Sequence, residues 1–107
     1  MEHLTPAQLA AWLADPDRPR PLLLDVREPW EYDICHLPGA RLVPMRELFE
    51  RLASLSPEQE TVVICHHGIR SYQVAKVLER QGFRAVYNLT GGLAAWARDV
   101  DASMPTY

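Results

Sequence analysis

The stretches Leu22-Leu23-Leu24-Asp25-Val26 and Thr61-Val62-Val63-Ile64 constrain the fold more than anything else in the chain. Each is a short, largely apolar run without regular polar alternation. A strand with one face in water alternates, whereas a strand covered on both faces does not. The two runs therefore predict strands inside a sheet that is buried on its two sides.

The segments around them read as helices. Thr5 can cap a helix that has Pro6 at its first position and Gln8 reaching back, with Leu9, Trp12 and Leu13 on one face. The run D-P-D-R-P-R-P then forms a surface connection. From Arg27 to Pro38 the chain is polar and broken by Pro29, which suggests a loop with a helical turn near Trp30–Asp33. Leu37-Pro38-Gly39-Ala40 is a turn, and Arg41–Val43 a second short strand. Leu48, Phe49, Leu52 and Leu55 support a helix over about Met45–Ala53. A further helix is expected over Ser71–Gln81, stopped by Gly82, then a strand over Ala85–Leu89 and a last helix from Leu93 to Trp96 and beyond. Strands alternating with helices make this an α/β fold, a mostly parallel sheet with helices on both faces. In such folds the site forms beyond the carboxyl ends of the strands.

Composition narrows the function. With 107 residues, a single domain over residues 1–107 is expected. With 48% of residues hydrophobic and 23% charged, the chain has the make-up of an ordinary soluble globular protein. A formal charge of −3 gives no footprint for nucleic acid or an anionic membrane. No apolar stretch nears the ~20 residues that span a bilayer, and the N-terminal residues carry no secretory signal pattern. Two cysteines do not make a disulfide framework. A reducing, cytoplasmic setting with a free thiol is expected.

The chemistry gathers at one place. The strand Thr61–Ile64 runs straight into Cys65, and Cys65-His66-His67-Gly68-Ile69-Arg70-Ser71 leads into a helix. A short loop closing on a helix N-terminus aims backbone N–H groups at one point, and Gly68 allows the curl. Arg70 is permanently cationic, and His66 and His67 add hydrogen bonds or charge. Such settings favour a thiolate. A cysteine at a strand end is more often inert, and a His-His pair alone is weak evidence of a metal site. The combination favours a nucleophile, with no metal and no cofactor. Cys35 is either a resolving thiol or, preferably, a small residue filling a turn. Asp25 and Arg27 are expected to pair and brace the loop rather than recruit an anion. His36 is expected to stabilise a turn, and Trp12 and Trp96 to anchor the core.

Four stretches, in order, carry a resemblance. Leu24-Asp25-Val26-Arg27-Glu28 with Glu31-Tyr32, His36-Leu37-Pro38-Gly39-Ala40, Cys65 through Ser71, and Gly91-Gly92 followed by Trp96 together resemble the rhodanese-like sulfurtransferase domains. Cys35 stands where that family usually has glycine. The resemblance implies a five-stranded, mostly parallel sheet flanked by helices, and a catalytic Cys65 that carries a persulfide. It further implies a small anionic donor such as thiosulfate, held by the loop residues His66–Ser71, and an acceptor that is cyanide, a thiol or a protein. Related phosphatases and arsenate reductases have five residues between cysteine and arginine, against four here. One residue adds ~3.5 Å of contour, so the shorter loop favours a terminal sulfur over a tetrahedral oxyanion. A sulfur-carrier or protein-interaction module is the alternative from another class.

Overall fold

Both apolar runs become central strands, and every residue of the second is buried. The computed structural model describes residues 1–107. In chain order the elements are β1 (Glu2–Leu4), α1 (Pro6–Ala14), β2 (Leu22–Asp25), α2 (Pro29–Ile34), β3 (Arg41–Leu42), α3 (Leu48–Arg51), β4 (Thr61–Ile64), α4 (Ile69–Arg80), β5 (Val86–Leu89) and α5 (Gly92–Asp99). The sheet has the order β1-β5-β4-β2-β3. Every neighbouring pair is parallel, with Leu22 beside Thr61 and Asp25 beside Ile64 at the centre.

Side chains along the central strands alternate between two cores. Leu23, Val62 and Ile64 point to one side, where Leu9 and Trp12 of α1 and Leu93 and Trp96 of α5 cover them. Leu24, Val63 and Cys65 point to the other, under Leu48 of α3 and Val74 and Leu78 of α4. The lack of polar alternation in the sequence follows from this double cover.

The start of α1 is as the sequence predicts. Gln8 N–H donates to Thr5 Oγ1 at 3.1 Å, Thr5 N–H donates to Gln8 Oε1 at 2.9 Å, and Pro6 opens the helix. The five-stranded parallel sheet with helices on both faces is as expected, and the differences lie in single elements. Its edge strand β1 was not foreseen, because Glu2-His3-Leu4 is short and partly exposed and takes its extended form from pairing with β5. The polar stretch after Arg27 holds a six-residue helix, because Pro29 sits at its first position and the Glu31 carboxylate accepts from Glu28 N–H at 3.0 Å. The helix expected over Met45–Ala53 is instead a 3₁₀ turn over Met45–Glu47, one α-helical turn, and a second 3₁₀ turn over Leu52–Ser54. None of the three starts with a side-chain cap hydrogen bond. Finally, α4 begins at Ile69, not Ser71, because Gly68 caps it in the left-handed conformation at φ 90°.

The last helix holds the Cys65 loop from behind. Leu93 N–H donates to the Cys65 carbonyl at 2.9 Å, and Ala94 N–H to the His66 carbonyl at 3.0 Å. Two donors that a helix start leaves open are thus satisfied by the loop. The approach is so close that a Cβ on Gly92 would run into the carbonyl oxygens of Cys65 and His66, and Gly92 also has φ 60°. Gly92→Ala is expected to cost at least about 3 kcal/mol in denaturant unfolding. Gly82→Ala, at φ 90° but with nothing within 4 Å of the added carbon, should cost about 1–2 kcal/mol. Equal losses in the two variants would refute the close-docking account.

Candidate active site

β4 carries Cys65 to the rim of the sheet, and the next three residues turn back into α4. Gly68 N–H donates to Cys65 Sγ at 3.0 Å and Ser71 N–H donates to it at 3.3 Å. The thiol donates in turn to Ser71 Oγ at 3.2 Å, and Ser71 Oγ–H donates to Asn88 Oδ1 at 2.5 Å. Asn88 Nδ2 closes the ring by donating to the Gly68 carbonyl at 3.3 Å. Cys65, Ser71 and Asn88 are all buried. Two amides from the loop and the first turn of a twelve-residue helix therefore converge on the sulfur. They can hold negative charge there, or on an atom attached to it.

A second layer of charge surrounds this loop. Arg70 places its two terminal nitrogens on the Glu31 carboxylate at 2.7 and 2.8 Å, in bidentate geometry. These bonds draw the Glu31 carboxyl down to about 2 against the effect of its burial. Glu31 is thus ionised at any ordinary pH. Tyr107 O–H donates to Glu31 Oε2 at 2.8 Å and accepts from Arg27 Nη1 at 2.9 Å. Burial, ahead of its hydrogen bonds, pushes the Tyr107 phenol up to about 12. Arg27 forms a bidentate pair with Asp25, Nε to Oδ1 at 2.9 Å and Nη2 to Oδ2 at 2.7 Å, and both residues are fully buried. Burial alone would weaken the Arg27 cation, but the bonds to Asp25 and Tyr107 outweigh it and raise its pKa.

The two loop histidines lie on the outer side. His66 and His67 stack with ring centroids 4.0 Å apart, and Tyr107 stacks on His66 at 3.9 Å. Burial, with His67 adding to it, lowers the pKa of His66 and favours its neutral form. These rings, Cys35, the start of α5 and the tail residues Pro105–Tyr107 line a half-open cleft of about 130 Å³. Trp30, well exposed, sets its edge against Tyr107 at 5.6 Å. No three His, Cys, Asp or Glu side chains converge at metal-binding spacing.

The loop residues singled out in the sequence, Cys65 to Ser71, thus lie together, with Asp25 and Arg27 beneath them as a buried pair. Ile69, however, turns outward and is largely exposed. Arg70, expected to offer a free positive charge, has its charge met by Glu31. Cys35 is buried beside Arg27 Nη1 at 3.9 Å, packs in the core opposite to that of Cys65, and both thiols are free. His36 holds its turn, ring stacked on Tyr32 at 3.8 Å and Nδ1 paired with the Tyr32 carbonyl at 2.8 Å. Three residues were missed as site members: Glu31, Asn88 and Tyr107. An asparagine inside the apolar run Val86-Tyr87-Asn88-Leu89 was a readable signal, since a buried amide needs partners. Nothing local marks Tyr107.

Comparison with known proteins agrees with this geometry. The Rhodanese-like domain family matches residues 5–99. The chain is 47% identical over 89 residues to the "Rhodanese-like/PpiC domain-containing protein 12, chloroplastic" of Arabidopsis thaliana, covering 79% of this chain and 30% of that protein. It is 39% identical over 77 residues to a "Sulfurtransferase" of Allochromatium vinosum, covering 72% of each. Among solved structures, a rhodanese-like domain protein from Staphylococcus aureus superposes with a TM-score of 0.82 at 30% identity, covering 90% of this chain and 91% of that one. The chain spans less than a third of the length of the Arabidopsis relative. With the family matched from α1 to the end of α5, and a cysteine loop of the expected form at the carboxyl edge of the sheet, this chain belongs to the rhodanese-like domain family.

Proposed function

We propose that the chain is a sulfurtransferase that carries a sulfane sulfur as a persulfide on Cys65. The observation that carries this reading is the convergence of the Gly68 and Ser71 amides on Cys65 Sγ, at 3.0 and 3.3 Å. The Cys65 thiolate attacks the outer sulfur of a donor, thiosulfate or a persulfide, and the bond to the rest of the donor breaks. With thiosulfate, sulfite leaves with the electron pair. With R–S–SH, a thiolate leaves. Cys65 then holds the terminal sulfur until an acceptor (cyanide, a thiol or a protein thiol) attacks it. This is covalent catalysis in two half-reactions.

Ser71 has one hydroxyl proton to give. It goes to Asn88 Oδ1 while Cys65 is a thiol that donates to Ser71 Oγ. Once the thiol proton has left, rotation of the hydroxyl turns that proton towards the sulfur. The Gly68 and Ser71 amides, already on the sulfur, need no reorganisation when charge appears there. Asp25 and Arg27 act as support, because every Arg27 donor is used inside the protein. Sulfur transfer is favoured over phosphate or arsenate chemistry by the four-residue gap from Cys65 to Arg70. The Allochromatium relative's name supports the same class.

Cys65→Ala is expected to abolish cyanide-dependent turnover and the gain of one sulfur mass on the protein, with the circular dichroism spectrum retained. Turnover surviving in that variant would refute the proposal. Cys35→Ser is expected to keep transfer within about twofold of the wild type, because the two thiols face opposite cores, and to lose about 1 kcal/mol of stability from a polar group in a buried site. If Cys35→Ser instead stops turnover after one sulfur is loaded, a second thiol takes part. Persulfide loading without turnover of any small donor would identify a sulfur carrier rather than an enzyme.

A further inference from the structure

The charges around Cys65 cancel. Arg27, fully buried, is neutralised by Asp25 and has no N–H left to offer. Arg70 is partly exposed, but Glu31 meets both of its terminal nitrogens. Arg46, which reaches the cap of the helix that bears Glu31, is itself held by Glu28 and Glu47. The loop histidine His66 stacks between the rings of His67 and Tyr107. No arginine here presents an unmatched charge to an incoming dianion. Apolar surface is available instead. Trp30, 60% exposed, packs against Tyr107, which itself donates to Glu31, and Ile69, 69% exposed, lines a groove with His67 and Gly68, so apolar side chains border the loop.

We propose that Glu31 sets the donor class of this site: by neutralising Arg70 it selects persulfides of organic thiols over the thiosulfate dianion. This inference rests on the sulfur-transfer reading. The Cys65 thiolate attacks the outer sulfur of R–S–SH and a new S–S bond forms. The old one breaks, R–S⁻ leaves with the electron pair, and the proton stays with the transferred sulfur or passes to solvent. No oxidant or reductant is needed. The single charge sits on the reacting sulfur species, where the Gly68 and Ser71 amides receive it, and the organic group R lies on the apolar rim. Thiosulfate would bring its second charge to a guanidinium that is already occupied. Glu31 is a specificity-determining residue that acts through Arg70, so its removal changes donor preference rather than overall rate.

The test measures kcat/KM and the rate of sulfur loading on Cys65 with two donors, thiosulfate and hydroxyethyl persulfide, a persulfide with an uncharged substituent. The wild type is expected to favour the persulfide. Glu31→Gln should raise kcat/KM for thiosulfate about tenfold, chiefly through KM and in a salt-sensitive way, because one positive charge is released at a partly exposed site. The persulfide value should move less than about twofold. Arg70→Gln should shift preference the opposite way by leaving Glu31 unmatched, and the double variant should return the donor ratio to that of the wild type. The single Arg70 variant and the double variant keep the idea testable if Glu31→Gln fails to fold. A wild type that prefers thiosulfate, an unchanged donor ratio in folded Glu31→Gln, or proportional loss with both donors would overturn the inference while leaving sulfur transfer intact. If neither donor loads Cys65 in the wild type, the sulfur-transfer reading itself falls.

Discussion

Arg27 organises the architecture around the cysteine loop. All five of its N–H groups are bonded inside the protein, to the Asp25 carboxylate, the Glu31 and Cys35 carbonyls and the Tyr107 hydroxyl. A buried charge is tolerable when it is paired and its remaining donors are satisfied, and removing one partner of such a pair typically costs 3–5 kcal/mol. The consequence here is geometric. One guanidinium ties the end of β2 to the middle and the C-terminal end of α2 and to the tail. That fixes α2 against the sheet and brings Glu31 into reach of Arg70. The loop that surrounds Cys65 is therefore positioned by a network that begins at the end of the neighbouring strand, β2.

The loop shows how few parts a charge cradle requires. A left-handed glycine turns the chain, and the first turn of α4 supplies an amide. Ser71 then links the sulfur to Asn88 on the neighbouring strand β5. Asn88 is not decorative in this arrangement. By accepting from Ser71 and donating to the Gly68 carbonyl, it holds both sides of the curl. It does so from the middle of an otherwise apolar strand, where a buried amide without partners would be costly.

Much of this was readable before any coordinates. The two non-alternating runs revealed a sheet with two covered faces, Thr5 and Gln8 the start of α1, and the order strand, cysteine, glycine, arginine the site. Local pattern failed where conformation or charge is set by distant partners. Glu2-His3-Leu4 has no strand signature and becomes one by pairing with β5. Met45–Ser54 has helical spacing of its leucines, yet without caps it breaks into single turns. Arg70 read as a permanent cation with no partner named, because Glu31 lies 39 residues earlier in the chain. Tyr107, bonded across 76 and 80 residues, was beyond the reach of periodicity.

The hydrogen bonds from Leu93 and Ala94 to the carbonyls of Cys65 and His66 also have a meaning in time. In synthesis from the N-terminus, Cys65 is joined to the chain before the helix that clamps its loop from behind, α5 (Gly92–Asp99). During synthesis the thiol exists for a while without the backing that holds its amides in register, since a chain that is built from its N-terminus completes long-range contacts last. The strand that bears the sulfur is made before the strand it pairs with on one side, β5, and the backing of its loop is finished by the last helix. The geometry of the cysteine loop is thus tied to completion of the fold, so an unfinished chain does not hold its amides on the sulfur.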